Sequence, residues 1–318
     1  MTAPFLPQRQ QLAMAVEGTE GSAETLDASD VIAPVFGLNW TPNFETIVRE
    51  VVQPSLSGLS QVVGERSATV EFSTELKGSG SAGTVPPNLS VPLQCSGWSE
   101  TIVGGTSVTY ALASEDVPTA TIEVREAGQS STCKIRQVVG ARGSWAIEAV
   151  KGNHVLVSFT FTGRYVEPTE GSFLTVPSPA PKPEPFLNAS ISFQGISTIK
   201  ASTVSVDGQN DVQLRNDANE VTGNFSAVIV NRDPVASIDP ELELIATANF
   251  FKKYTDGDEG DLDFVLGATA GNITSVSLRT QITNVTPGER DSMRIESLDL
   301  ALIQNAAAGD DEATIAFT

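Results

Sequence analysis

Between Ser67 and Leu76 the chain alternates Ala68, Val70, Phe72, Thr74 and Leu76 with Thr69, Glu71, Ser73 and Glu75. A period of two requires a strand with one buried face and one polar face. The next residues, Gly78-Ser79-Gly80-Ser81-Ala82-Gly83 and then Pro86-Pro87, cannot continue a strand or a helix. Their glycines match G-x-G-x-x-G after a strand, the pattern that seats a pyrophosphate on a following helix N-terminus. Here the prolines leave no room for that helix, and the preceding strand is amphipathic where a central parallel strand reads apolar. The segment is therefore a glycine-rich loop, expected to stay mobile until a partner orders it.

The same alternation recurs along the chain. Ser107–Leu112, Thr119–Arg125, Cys133–Val139, Ser144–Val150 and His154–Phe161 read as strands, with Gly128, Gly140, Gly143 and Gly152-Asn153 as turns between them. A second series reads the same way: Ala189–Phe193, Thr203–Val206, Val212–Arg215, Asn224–Val230, Leu262–Gly267, Ser275–Thr283, Met293–Ile303 and Ala313–Phe317. Helix signals are confined to Gln8–Glu17 and to Pro240–Lys253; the latter contains a strand-like Glu241–Phe250, but the helix is favoured because Leu242, Ile245, Ala246 and Asn249 share a face and charges complement the dipole. The fold class is all-β, mainly antiparallel, with one or two short helices.

Five prolines between Pro177 and Pro185 impose an extended spacer. They divide the chain into an N-terminal arm (1–40, with a Gly/Ser/acid stretch through Asp30 read as mobile), a first β-rich domain (41–176), a linker (177–186) and a second β-rich domain (187–318). Two domains suit 318 residues of 40% hydrophobic content.

Composition excludes several functions. A net charge of −20 disfavours any broad surface that holds nucleic acid or anionic lipid. No basic-then-apolar segment opens the chain, which points to a soluble protein of the cytoplasm. Cys95 and Cys133 have no C-x-x-C spacing and read as reduced core thiols. The single histidine, His154, flanks a turn without a nucleophile motif. Asp256–Asp261 has the composition of a calcium loop, but Asp261 and Gly267 stand where an EF-hand needs glycine and glutamate. Nothing calls for a metal, a cofactor or an enzyme. Trp40, Trp98 and Trp145 are scattered and read as core residues.

Several segments in a fixed order resemble the tail tube (major tail) proteins of long-tailed bacteriophages. They are Arg9–Glu17, Ile47–Val52, the strand with its GSGSAG loop and proline pair, Leu93-Gln-Cys-Ser-Gly-Trp98, Val139–Ser144 and Val157–Gly163. The resemblance implies a structural virion protein, assembled in the host cytoplasm, whose rings stack into a tube that meets other tail proteins at its ends. Neighbouring subunits join strands around the lumen, loops reach the next ring, and DNA passes without specific binding. Longer members carry two tube domains, so three chains would complete a ring of six domains. Gly78, Ser79, Gly80, Gly83, Pro86, Pro87 and Arg142 are then the candidates for contacts between rings or subunits. Two alternatives stay open: a β-sandwich binding module such as a capsid decoration or adhesion protein, and a second domain that decorates a six-chain ring.

Overall fold

Hydrophobic alternation becomes hydrogen-bonded ladders throughout the computed structural model, which describes residues 4–177, 181–197 and 199–318. The strands of the first half are β1 (Gln10–Val16), β2 (Val31–Ile32), β3 (Phe36–Ile47), β4 (Val62–Glu75), β5 (Trp98–Val103), β6 (Ser107–Leu112), β7 (Ala120–Glu126), β8 (Thr132–Val150), β9 (Leu156–Tyr165) and β10 (Thr169–Ser172). Those of the second half are β11 (Ser190–Phe193), β12 (Thr203–Asp207), β13 (Asn210–Asn216), β14 (Asn224–Arg232), β15 (Val235–Ile238), β16 (Glu259–Leu266), β17 (Thr274–Arg290), β18 (Met293–Leu302) and β19 (Ala313–Phe317). Two short helices, α1 (Ser90–Gln94) and α2 (Phe250–Asp256), complete a mainly antiparallel all-β fold.

The ladders fall into two sets with the same connectivity. In the first, β1 pairs with β7, β3 with β4, β4 with β9, β7 with β8, and β8 with both β9 and β10. In the second, β11 pairs with β16, β12 with β15, β15 with β18, β16 with β17, and β17 with both β18 and β19. A short helix precedes β7 in one set and β16 in the other. The middle strands β8 and β17 are the longest, 19 and 17 residues, and each changes register partway, after Val139 and after Ile282. Such bulges let one strand bend between two packing environments.

Two ladders tie the sets together, β8 with β12 and β6 with β19. One run of neighbours therefore reads β3-β4-β9-β8-β12-β15-β18-β17-β16-β11. Away from the ladders, Trp98 of β5 meets Trp145 of β8 at 4.8 Å, while Tyr110 of β6 and Phe317 of β19 are diagonal neighbours in one ladder, with ring centroids 6.1 Å apart. Both sets contribute to one hydrophobic cluster, with Phe72, Phe159 and Phe161 from the first and Phe193, Phe264 and Leu300 from the second. Of the proline-rich spacer, 178–180 lie outside the described residues. Its remainder lies along the body: the Lys182 carbonyl accepts from Asn272 at 3.3 Å, and Phe186 is buried and donates its N–H to the Asn153 carbonyl.

Several sequence expectations change here. Gln10–Val16 is a strand and not a helix, because Leu12, Ala13 and Met14 are all buried between β2 and β7, and a doubly buried strand loses its alternation. The acidic stretch after it is packed rather than mobile. Glu17 is buried and accepts from the Gly21 and Gly140 amides and from the Thr119 and Thr121 hydroxyls, and Leu26 is buried. Cys133–Val139 and Ser144–Val150 are one strand, since Gly140 and Gly143 serve close approach instead of a turn: a Cβ on Gly143 would lie 2.6 Å from the Phe161 ring. The helix expected over Pro240–Lys253 shrinks to α2. Glu241 and Leu242 instead donate their backbone N–H groups to the Lys200 and Arg294 carbonyls. Asn249 caps α2 by accepting from the Lys252 amide, and Gly257, with φ +71°, ends it.

The GSGSAG loop is ordered by its own chain. The Gly80 amide donates to the Gly271 carbonyl at 3.0 Å, and the Gly78 amide to Asn272 Oδ1 at 3.3 Å. A Cβ on Gly78 would fall 2.1 Å from the Gly271 carbonyl oxygen, whereas one on Gly58 would meet nothing within 4 Å. Gly78→Ala should therefore cost about 2–4 kcal/mol in urea unfolding, through backbone displacement. Gly58→Ala should stay within about 0.5 kcal/mol of the parent or exceed it. Equal midpoints for the two variants would contradict this reading of the loop.

Candidate functional site

Because cross-strand partners share a face, the ladders carry one surface across both sets. Asn39 and Thr41 of β3 lie opposite Glu71 and Thr69 of β4, which lie opposite Thr160 and Thr162 of β9. Thr160 and Ser158 then face Ser144 and Ala146 of β8, and Glu148 and Ala146 face Ser205 and Asp207 of β12. Ser205 continues to Ser237 of β15, and Ser237 to Asp299 of β18. The inward residues between these, such as Val70, Phe159, Ile147, Val206 and Leu300, are buried.

Short side chains knit this surface together. The Ser73 and Ser158 hydroxyls are 2.8 Å apart and those of Ser205 and Ser237 2.7 Å. Asn43 donates to Thr69 at 2.9 Å, Asn39 to Glu71 at 3.3 Å and Asn284 to Asp299 at 3.0 Å. Glu71, Glu148, Asp207 and Asp299 are exposed. The arginines that reach the same face are all held in ion pairs: Arg142 with Glu20, Arg164 with Glu220, Arg279 with Glu259 and Asp261, and Arg290 with Asp239 and Glu241. The face presents hydroxyls and carboxylates, with its cations neutralised.

The second feature is an arm. At the far end of the β3–β4 ladder and in the loop beyond it, the chain from Phe44 to Val63 exposes Phe44, Ile47, Val48, Val51, Val52, Leu56, Leu59, Val62 and Val63, with Val52 and Leu56 fully in water. The Arg49 side chain spans it, donating to the Ser60 carbonyl and hydroxyl. Apolar side chains concentrated on one exposed projection mark a contact surface. The apolar run Ile47–Val52, broken by Arg49 and Glu50, is the signal in the sequence for this surface.

Of the residues singled out from sequence, Gly78 and Pro86 are buried within the chain, and Gly83 sits against the β5–β6 turn, where a Cβ would lie 2.3 Å from the Gly105 amide. Gly80 and Pro87 are exposed and Ser79 is half-buried. Arg142, between the two glycines read as turns, lies inside a strand. It lies in the β8 bulge, donates to the Val117 and Ala227 carbonyls and pairs with Glu20 at 3.2 Å. The structure groups Arg142 with Arg215 and Ser226 around Glu20, at a junction between the two sets that sequence reading missed. Cys95 and Cys133 are unbonded and buried, and burial pushes the Cys95 thiol far up. Among the described residues no group of His, Cys, Asp or Glu is placed to hold a metal ion, and no helix is long and apolar enough to cross a membrane.

Fold and surface together define a structural β-protein built to assemble, with an apolar arm and a sheet face on which, among the described residues, each arginine is ion-paired. The family model for phage tail tube proteins matches residues 7–318, and the chain belongs to that family. It is a structural tail tube protein of the phage virion, which assembles with other tail proteins. No curated protein matches it in sequence.

Two acids that tie the sets together respond to pH in the same way. Burial works against the ionised form of Glu20, but hydrogen bonds from Ser226, Arg215 and Arg142 outweigh it and hold the carboxyl below its ordinary value. Asp310 is likewise desolvated yet lowered by Ser114 and Arg232. Each contribution is present above the ordinary carboxylate pKa and is lost as pH falls through the depressed folded value. Glu296, raised by burial alone, works in the opposite sense. The melting temperature should therefore drop below about pH 4, and Glu20→Gln should lower it at neutral pH while flattening the acid limb. An unchanged acid limb in Glu20→Gln would remove Glu20 from this account.

Proposed function

We propose that the hydroxyl and carboxylate face lines the lumen of a stacked-ring tube through which phage DNA passes, and that three chains make one ring. The observation that carries this reading is the face itself: a surface spanning both sets, with exposed Glu71, Glu148, Asp207 and Asp299 and, among the described residues, no unpaired arginine. DNA carries about one negative charge per 1.7 Å of axis, so such a wall repels the phosphates and gives them nothing to bind. The second half strengthens the field, with 20 acidic and 8 basic residues from Leu187 onward, a net of −12.

The duplicated connectivity supports three chains per ring. Each set supplies one β-unit, so the chain acts as two tube domains in tandem and three chains give six units under closed cyclic symmetry. The apolar arm, with exposed Gly80 and Pro87 and half-buried Ser79, meets neighbouring subunits, where burial of its side chains stabilises by about 25 cal/mol per Å².

Two measurements test this. Class averages of a ring viewed down its axis should show three chains; six would overturn the tandem reading and make the second half a decoration. Replacing Glu71, Glu148, Asp207 and Asp299 by lysine should leave assembly intact but slow DNA ejection about tenfold at low salt, with the effect fading as salt rises. Normal ejection through such tubes would rule out electrostatic sliding.

A further inference from the structure

We infer that the junction inside the chain is the template for the junction between chains: β3 of one subunit pairs with the outer edge of β17 of the next, Asn43 opposite Gly288. This deepens the proposed tube reading and rests on it. The two sets can be superposed ladder by ladder. Asn43 lies opposite Ser67 and Ser67 opposite Arg164, just as Asp207 lies opposite Val235 and Val235 opposite Ala301. Ala146 lies opposite Ser158 and Ser158 opposite Ser73, just as Gly288 lies opposite Ile295 and Ile295 opposite Glu241. Asn43 thus corresponds to Asp207, and Gly288 to Ala146. Within the chain Asp207 pairs with Ala146.

The corresponding edges are both unpaired. Among the described residues β3 pairs only with β4, and the last part of β17 pairs only with β18, the β16 ladder having ended at Gln281. Both edges present the polar face on the same side, so joining them continues the surface around a ring. One free edge at each end of the chain is a heterologous pair that closes by rotation, and pairing satisfies two exposed rows of backbone groups.

The arms follow the same rule. Each set inserts a projection between corresponding positions: the apolar arm after Asn43, and the β13–β14 hairpin after Asp207. That hairpin folds back on the first set, where Arg66 donates to the Val221 carbonyl, Arg142 to the Ala227 carbonyl and Arg164 to Glu220. At the positions that correspond to Arg66, Arg142 and Arg164, the second set has Pro234, Asn284 and Ala301. The β13–β14 hairpin meets arginines at these three positions, and the apolar arm is offered the same three positions without them. The chemistry of each acceptor fits its own arm, which identifies the occupant of the second as the arm of another copy of this chain.

Cysteine pairs test the register, because directly opposed residues of an antiparallel ladder lie within disulfide reach, about 4.5–5.5 Å between Cα atoms. Native Cys95 and Cys133 are buried and give little background. Ala146→Cys/Asp207→Cys should form an intrachain disulfide on mild oxidation and calibrates the geometry. Asn43→Cys/Gly288→Cys in assembled tubes should cross-link chains, with three chains as the largest product on a denaturing gel. Single variants Asn43→Cys and Gly288→Cys, mixed before assembly, should give two-chain products only. Asn43→Cys/Asn284→Cys, out of register, should give none. Tubes that form while the calibrating pair oxidises and the mixed single variants stay unlinked would overturn the pairing, as would linkage at Asn284. Absence of rings or tubes from the unmodified protein, seen by negative-stain microscopy, would instead overturn the tube reading.

Discussion

The ladder between β8 and β12 is the contact on which the rest of the molecule depends. β8 is the middle strand of its own set and supplies Trp145, Ile147 and Ala149 to the core, while its outward Ser144, Ala146 and Glu148 belong to the polar face. Docking β12 on its last turn of pleats extends both surfaces at once. A one-residue slip would exchange core and polar face for every strand beyond it. Two devices pin the register. The bulge after Val139 leaves the Gly140 amide free to donate to the buried Glu17, and Gly208, just past β12, leaves room for the Trp145 indole, which a Cβ would approach to 2.5 Å.

Charge in this acidic chain is sorted by location. Arginines are drawn to the seams, where a guanidinium can satisfy several acceptors at once: Arg142 between β8 and β14, Arg164 beside the β13–β14 turn, and Arg232 with Asp310 and Glu312. Carboxylates without a basic partner are left on the outward pleats. The same economy of bases that holds the two sets together thus leaves the sheet face electronegative, so fold and proposed function draw on one distribution of residues.

The strands were legible because alternation was strong: Ser107–Leu112 and Ala313–Phe317 begin and end where the sequence places them. What failed had physical causes. Leu12–Met14 is buried on both sides and loses its period, so a strand resembles a helix. Gly140 and Gly143 punctuate a sequence reading, yet here they admit Ser226 and Phe161 to the backbone. The loop glycines Gly78 and Gly83 were legible as special positions, but their partners, Gly271 and Gly105, are distant in sequence or unremarkable in composition. The polar face was invisible before the ladders were known, because no single strand carries more than a few of its residues. Equivalence of the two sets was also hidden, since it resides in pairing order and not in side-chain identity.

A duplicated chain has a thermodynamic advantage over single units that assemble six at a time. In the proposed ring half of the junctions are already made when the chain folds, at the high effective concentration of one molecule. Each intrachain junction removes one loss of translational and rotational freedom from assembly, a cost of several kcal/mol per partner. Duplication also frees the two junctions to diverge. The inner one is fastened by Arg66, Arg142 and Arg164 and by the depressed carboxyl of Glu20, which suits a permanent contact within one core. The outer one is left with an apolar arm and an unpaired strand edge, whose association strengthens with burial and is little screened by salt. A monomer with one sealed junction inside and a complementary open edge at each end adds to its own kind in one direction, which biases it toward closed rings over disordered aggregates.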